Sequence, residues 1–328
     1  MLKLEKWWYQ KKAVLWPLIP VSFLFSLLVK IRRKLYQYGI LPKKRFPVPV
    51  IVVGNLTVGG TGKTPLVIYI AEFLKENGFK PGIISSGYKG KHKGPVSVYK
   101  DSDPKMVGDE ALVLARYLSC PIFVARNRKN ALKKLLQMNN KVDVVISDDG
   151  LQHYALDRNI EIAVIDGQRR FGNGYCLPAG PLREPQERLK GVHLVVNNGG
   201  VLKENEYEME YLPCPLYNAV YTMHKQPLEY FKGQVVHAVA GVGNPTRFFQ
   251  MLVSHGLQII PHVFPDHYKF KPKDIYFGDN HSVIMTEKDA VKCLPFADIR
   301  HWVLPIKASV TPLFDMKLLD LLKGSYHG

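Results

Sequence analysis

Short β-branched apolar runs alternate with stretches of helical periodicity through residues 48–197, and that alternation predicts the fold. Strands are expected at 48–53, 81–85, 122–124, 142–147, 160–166 and 192–197. Helices are expected between them, at 64–77, 109–118 and 127–139. Repeated β-α-β units build a mostly parallel sheet covered on both faces. Ligands of such sheets sit beyond the carboxyl ends of the strands. The glycine- and lysine-rich piece 88–96 is expected to be a mobile loop, and 178–185 a second loop with a proline at each end. Near 203–211 the composition turns acidic and polar, marking a break. Beyond it, runs at 235–240, 257–263, 282–286 and 302–305 predict a smaller α/β unit. A last helix is expected at 311–322, where it can fold back on the first domain.

The start of the chain follows a different pattern. An apolar run from Val14 to Val29 holds Trp16, Phe23 and Phe25, with Trp7, Trp8 and Tyr9 upstream. A membrane-spanning helix needs about 20 apolar residues. This run is shorter and contains Pro17 and Pro20. Aromatic residues and basic flanks fit a helix lying in the membrane interface. A cleaved signal peptide fits less well, because Lys30-Ile31-Arg32-Arg33-Lys34 stands where a small-residue cleavage site belongs. The organisation expected is a basic membrane-associated segment 1–47, a phosphate-binding domain 48–205 and a smaller α/β domain 206–328.

Charge sharpens this picture. The 328 residues carry a formal net charge of +17. Within 1–47, Lys3, Lys6, Lys11, Lys12, Lys30, Arg32, Arg33, Lys34, Lys43, Lys44 and Arg45 face the single acid Glu5. Such an excess seeks a polyanion: an anionic lipid surface, a phosphorylated substrate or nucleic acid. No aromatic RNA-reading signature or zinc spacing appears, so no nucleic acid is expected and the anionic membrane surface comes first. Cys120, Cys176, Cys214 and Cys293 form no C-x-x-C pair, which fits reduced thiols and a cytosolic face.

The chemistry begins where the first strand ends. Thr57-Val58-Gly59-Gly60-Thr61-Gly62-Lys63-Thr64 follows an apolar strand and opens a helix. Glycines let backbone N–H groups converge on phosphate oxygens, and the helix N-terminus favours negative charge. Lys63 is placed to reach the outer phosphates of ATP, and the Thr64 hydroxyl to sit on Mg2+. The full pattern G-x-x-x-x-G-K-[ST] has glycine where this chain has Thr57, so the loop is a variant. Asp148 and Asp149 close an apolar strand, where a P-loop protein keeps its magnesium acid. In a continuing strand only one of the two can face the metal. His153 extends the same loop toward the cleft. Asp109 opens a helix, where an acid also serves as a cap. His267, in Phe264-Pro265-Asp266-His267, is a surface histidine or one that tunes a base. Arg183, beside Glu184, has the geometry to clamp an anionic substrate or simply to be solvated.

Together these segments resemble the tetraacyldisaccharide 4'-kinase family, the lipid A 4'-kinases of Gram-negative bacteria. The likeness runs in order through Gly54 to Pro65, Val107-Gly108-Asp109-Glu110, Ser147 to His153, Phe171-Gly172-Asn173-Gly174 and 177–185. It continues through Ala240 to Pro245, Phe264 to His267 and Met285 to Lys292. The variant P-loop belongs to that pattern. The resemblance implies an inner-membrane-associated enzyme on the cytoplasmic face. Its reaction moves the γ-phosphate of ATP to the 4'-hydroxyl of a tetraacylated glucosamine disaccharide 1-phosphate. Lys63 and Thr64 then match phosphate and magnesium residues, and Asp148 and Asp149 the acidic pair near the metal. Asp109 matches the acid that activates the acceptor hydroxyl, with His267 assisting. His153, Asn173, Arg183 and Glu184 fall in substrate-facing loops. Because Asp109 and His267 lie in different domains, closure of the cleft is expected to assemble the site. The rival expectation is a membrane-associated P-loop NTPase acting as a switch or assembly factor.

Overall fold

The computed structural model describes residues 7–9, 16–138 and 141–326. Lys3, Lys6, Lys11, Lys12, the start of the apolar run at Val14 and the last residue of the helix expected at 127–139 lie outside them.

Fifteen strands form two sheets among the described residues. The strands are β1 (Val50–Gly54), β2 (Pro81–Ser85), β3 (Val96–Ser97), β4 (Ile122–Val124), β5 (Val144–Asp148), β6 (Ile160–Asp166), β7 (Leu194–Asn198) and β8 (Glu206–Pro213). They continue as β9 (Leu216–Asn218), β10 (Lys225–Gln226), β11 (Val235–Ala240), β12 (Gln258–Val263), β13 (Ser282–Thr286), β14 (His301–Leu304) and β15 (Ile306–Val310). The helices are α1 (Ile19–Gln37), α2 (Lys63–Glu76), α3 (Pro104–Val107), α4 (Asp109–Tyr117), α5 (Arg128–Leu136), α6 (Pro245–Ser254), α7 (Glu287–Cys293) and α8 (Pro312–Tyr326).

The larger sheet runs β15-β8-β7-β6-β1-β5-β2-β4-β3. β1 lies at its centre, parallel to β5 and β6. Every residue of β1, β5 and β6 is buried, which explains why these strands read as continuous apolar runs. Apolar side chains fill both faces of the sheet. The smaller sheet runs β10-β9-β14-β13-β11-β12 and has its own core around Phe231, Leu252 and Trp302.

Sheet pairing continues across the break expected at 205. β8 lies parallel to β7, and β15 returns from the smaller sheet to pair antiparallel with β8. α8 then buries Phe314, Leu318 and Leu322 in the larger domain's core. The chain thus crosses between the two sheets twice. Within the loop expected to be mobile at 88–96, His92 is buried and its ring nitrogens contact the Gly94 and Ser86 carbonyls at 3.1 Å.

α1 reverses the usual amphipathic pattern. Ser22, Phe25, Ser26, Val29, Arg33 and Tyr36 turn toward the protein at helical spacing. Val21, Phe23, Leu24, Leu27, Leu28 and Ile31 are exposed. Ser22 donates to the Cys176 carbonyl at 2.6 Å, and Tyr36 stacks on Tyr154. No helix among the described residues is long and apolar enough to cross a membrane.

Candidate active site

β5, β1 and β6 are neighbours, so their carboxyl ends bring three segments together. Val53 of β1 is level with Asp148 of β5, and Asp166 ends β6 beyond them. The P-loop occupies the gap. Gly62 caps α2 with φ +99°, a left-handed conformation that glycine adopts without strain. A Cβ there would meet Asn198 Nδ2 at 2.3 Å, so the backbone approach also needs glycine. The 177–185 loop docks on the entry to this turn. Thr57 bridges to Leu182, and the Val58 N–H donates to the Pro181 carbonyl at 2.8 Å.

That docking brings Arg183 to the acids. Arg183 Nη1 donates to both Asp149 carboxylate oxygens at 3.2 and 3.1 Å. Lys63 Nζ lies 3.5 Å from Asp149 and donates to Asn55 Oδ1 at 3.3 Å. Burial pushes the Asp149 carboxyl upward, but Lys63, Arg183 and Arg128 outweigh it and hold the group well below the usual carboxylate range. Its neighbour behaves oppositely. Asp148 is buried, takes a 3.3 Å hydrogen bond from Ser85 on one oxygen, and leaves Oδ1 without a partner. Burial, then Glu110 and Asp149, push its pKa up to about 7. The alternation expected of a continuing strand does not apply, because β5 ends at Asp148 and Asp149 turns to φ +47°.

A second cluster, drawn from both domains, reaches the P-loop cavity through Glu110 and Lys288. Asp109 is the first residue of α4, and its Oδ2 lies 3.4 Å from His267 Nδ1. Lys292 Nζ stands 3.9 Å from the same carboxylate. Burial would raise the Asp109 pKa; the His267 hydrogen bond and Lys292 overcome it and lower it. Lys288 bridges Glu110 and Asp266, 3.0 Å from each, and lies 3.4 Å from His267 Nε2. His267 itself sits at φ +61°, with the Tyr88 ring edge-on to it.

The two domains touch directly at the P-loop. A Cβ on Gly243 would lie 2.1 Å from the Gly60 nitrogen, so these glycines allow backbone-to-backbone approach. Arg169 ties them, donating to the Gly243 carbonyl at 2.6 Å and the Gly60 carbonyl at 2.7 Å. Asp166 orients Arg169, and also accepts from Asn244 and Arg247 of the second domain. Beside this contact opens a cavity of about 210 Å³. Gly60 to Thr64 line one end, with Ile68, Val113, Phe248 and Met251 along its apolar wall. Tyr117 donates to Glu287 at 2.6 Å in the same wall, and burial raises Glu287 to about 7.

The remaining residues expected in substrate loops separate into two groups. Arg183 is at the acids. His153 lies on the same turn, and burial, then Arg128 and Arg158, lower its pKa to about 4, leaving a neutral ring. Asn173 braces its own loop, donating to the Ala179 carbonyl and accepting from the Tyr175 N–H. Glu184 is buried behind the site against Tyr154 and Arg188. Ser85, Arg128, Arg169 and Asp166 were not singled out from sequence, since each acquires its place only through pairing between distant strands. Glu110, Asp266, Lys288 and Lys292 stood inside the matched segments, flanking the residues that were.

A glycine-turn phosphate site on a central parallel strand, with acids at the next strand end, defines a protein of the P-loop nucleotide-binding class. Residues 14–323 match the family described as tetraacyldisaccharide-1-P 4'-kinase. A tetraacyldisaccharide 4'-kinase of Nitrosococcus oceani is 49% identical over 319 residues, covering 97% of this chain and 94% of that protein. One from Coxiella burnetii (strain RSA 331 / Henzerling II) is 46% identical over 326 residues, covering 99% and 96%. Among solved structures, LpxK from Aquifex aeolicus in complex with ATP superposes with a TM-score of 0.77 at 28% identity, covering 93% of this chain and 98% of that one. The chain belongs to the tetraacyldisaccharide 4'-kinase family.

Proposed function

We propose that the protein transfers the γ-phosphate of ATP to the 4'-hydroxyl of a tetraacylated glucosamine disaccharide 1-phosphate. The observation that carries this reading is a second cluster beside the phosphate turn: Glu110 and Lys288, next to Asp109 and His267, line the same cavity as Gly60 to Thr64. Lys63 and the glycine turn form a phosphate-holding end, and the Asp109–His267 pair forms a proton-accepting end. A switch NTPase needs the first and has no use for the second.

ATP would lie with its phosphates on the amides of Gly59 to Thr64 and its base against Ile68, Val113, Phe248 and Met251. Phosphoryl transfer depends on alignment and charge neutralisation. Lys63 would hold the outer phosphates, and Arg183 would secure Asp149. Asp109, kept anionic by His267 and Lys292, would take the proton from the acceptor hydroxyl. The Asp148 Oδ1 atom, buried and unpartnered, fits a divalent cation, and Thr64 supplies a hydroxyl on the adjoining turn. Magnesium is commonly held by one or two carboxylates plus substrate phosphates. When bound, it would neutralise charge on the transferred phosphoryl group. His153 and Arg183 would face the sugar, with Asn173 and Glu184 fixing their loops.

The exposed apolar face of α1 would seat the enzyme on the cytoplasmic face of the inner membrane as a peripheral protein. The lipid could then offer its sugar without leaving the bilayer. Incubation with ATP, magnesium and the disaccharide, followed by mass spectrometry of the lipid, tests the assignment. A product gaining one phosphoryl group is expected; ATP hydrolysis without it contradicts the reading.

A further inference from the structure

A second cavity, of about 180 Å³, lies beneath α1 and apart from the nucleotide cleft. Arg33 and Tyr36 of α1, Lys43, Arg158, Arg188 and His193 line it, together with Asp157 and Glu161. Four cationic side chains thus oppose two carboxylates. Glu161 is already engaged, accepting from Arg188 at 2.6 Å and Arg158 at 3.1 Å. Arg188 is 3% exposed, and its Nη1 has no hydrogen-bond partner. A buried guanidinium nitrogen left unpartnered is costly, and an anion relieves it.

The other donors converge on the same space. A Cβ built on Gly191 would lie 2.6 Å from Arg33 Nη2 and 3.6 Å from Arg188 Nη1, so the two guanidinium groups face each other across this glycine. No carboxylate among the described residues pairs with Arg33 or Lys43 in an ion pair. The Glu161 N–H donates to His193 Nδ1 at 3.0 Å, which leaves the ring proton on Nε2 as another donor. Planar guanidinium forks with an added ammonium match a phosphate monoester.

The location says what carries that phosphate. α1 forms one wall, and its opposite face exposes Leu24, Leu27, Leu28 and Ile31. With that face in the interface, the cavity sits at head-group depth. Arg183, paired with Asp149, is followed in the chain by Glu184, which pairs with Arg188 and so adjoins Glu161.

We propose that this cavity is a second phosphate site that binds a phosphomonoester borne by a lipid. The 1-phosphate of the disaccharide and an anionic lipid of the leaflet share that chemistry. The first source rests on the proposed kinase reaction; the second does not.

The test compares the full-length protein with Arg33→Ala/Lys43→Ala, which leaves the buried Arg188–Glu161–Arg158 cluster in place. One arm measures kinetics in neutral detergent micelles on the disaccharide with and without its 1-phosphate. The other measures binding to phosphatidylcholine vesicles containing phosphatidic acid or, at matched surface charge, phosphatidylglycerol. If the substrate's phosphate is the ligand, KM rises about tenfold or more for the phosphorylated acceptor alone, with kcat kept, as loss of the charge-assisted hydrogen bonds from two cations implies. If a leaflet lipid is the ligand, both KM values stay and the preference for phosphatidic acid falls about tenfold. Equal losses on both vesicle types with both acceptors shifted alike, or no change in either arm, overturn the proposal. Failure of the wild type to phosphorylate any acceptor sinks the kinase reading and leaves the vesicle arm to decide this one.

Discussion

Asp109 Oδ2 and His267 Nδ1 come within 3.4 Å although the residues are 158 positions apart. One opens α4 on the larger domain; the other lies on the loop after β12 of the smaller sheet. In the proposed reaction, proton acceptance would therefore depend on both domains. Replacing Asp109 with Asn is expected to lower kcat by about 10²- to 10⁴-fold, the usual worth of a positioned base. His267→Ala should cost less, and the double variant little more than Asp109→Asn alone, because the two act as a unit. Steady-state kinetics with the lipid acceptor check this; fully additive losses would separate the roles.

In the proposed reaction the same pair would set an acid limit. Burial raises the Asp109 pKa, while His267 and Lys292 bring it below the ordinary value. Removing Lys292 leaves burial less opposed, so the carboxyl protonates at higher pH. Lys292→Ala is expected to move the acid limb of the kcat/KM profile upward, with the plateau at higher pH less affected. A limb that stays in place, or moves down, contradicts this assignment.

Asp148 offers a stability test independent of turnover. Its pKa is raised to about 7 by burial, then by Glu110 and Asp149, against about 3.9 in an unfolded chain. Between those values the folded state holds the extra proton, so stability falls as pH rises through the window and stays reduced above it. Asp148→Asn should therefore raise Tm of the metal-free protein at pH 8 by about 2 °C or more. The gain should shrink toward pH 4, and kinase activity should collapse. Thermal scans across pH, with and without magnesium, read both effects.

Contact between the domains can be loosened without touching a reacting group. Gly243 has no room for a Cβ, which would meet the Gly60 nitrogen at 2.1 Å. Gly243→Ala must push the smaller domain off the P-loop. Misplacement on the order of 1 Å can cost about 10²-fold in rate. A comparable fall in kcat is expected, with circular dichroism unchanged.

α1 gives the membrane prediction. Leu24 and Leu28 are 58% and 56% exposed on its outer face. Each apolar side chain buried contributes about 1.5–3 kcal/mol. Leu24→Glu/Leu28→Glu should cut partition onto anionic vesicles by tenfold or more, leaving kcat on detergent-dispersed acceptor largely intact. Unchanged partition would remove the anchoring role.

The sequence made some of this legible and not the rest, for physical reasons. β1, the turn through Gly62 and α2 are contiguous, so strand, glycines and Lys63 could be read together. Asp148 and Asp149 were visible as acids closing an apolar run. Their opposite ionisation was not, since it depends on burial and on Glu110, Arg128 and Arg183 arriving from other elements. β8 exposes alternate residues and carries acids, so it resembled a linker; only pairing with β7 and β15 makes it a strand of the larger sheet. α1 extends through Lys30 to Gln37, past the end of the apolar run at Val29, and Tyr36 stacks on Tyr154 beneath it. The family resemblance added roles for Asp109 and His267 that their local sequence would have left as a helix cap and a surface ring.

The most direct measurement is the mass and phosphate position of the lipid formed by purified protein with ATP, magnesium and tetraacyldisaccharide 1-phosphate, run beside Lys63→Ala. A single added phosphoryl group at the 4'-position, lost in the variant, is the predicted result. Nucleotide hydrolysis with the lipid unchanged, or full turnover by Lys63→Ala, would contradict it.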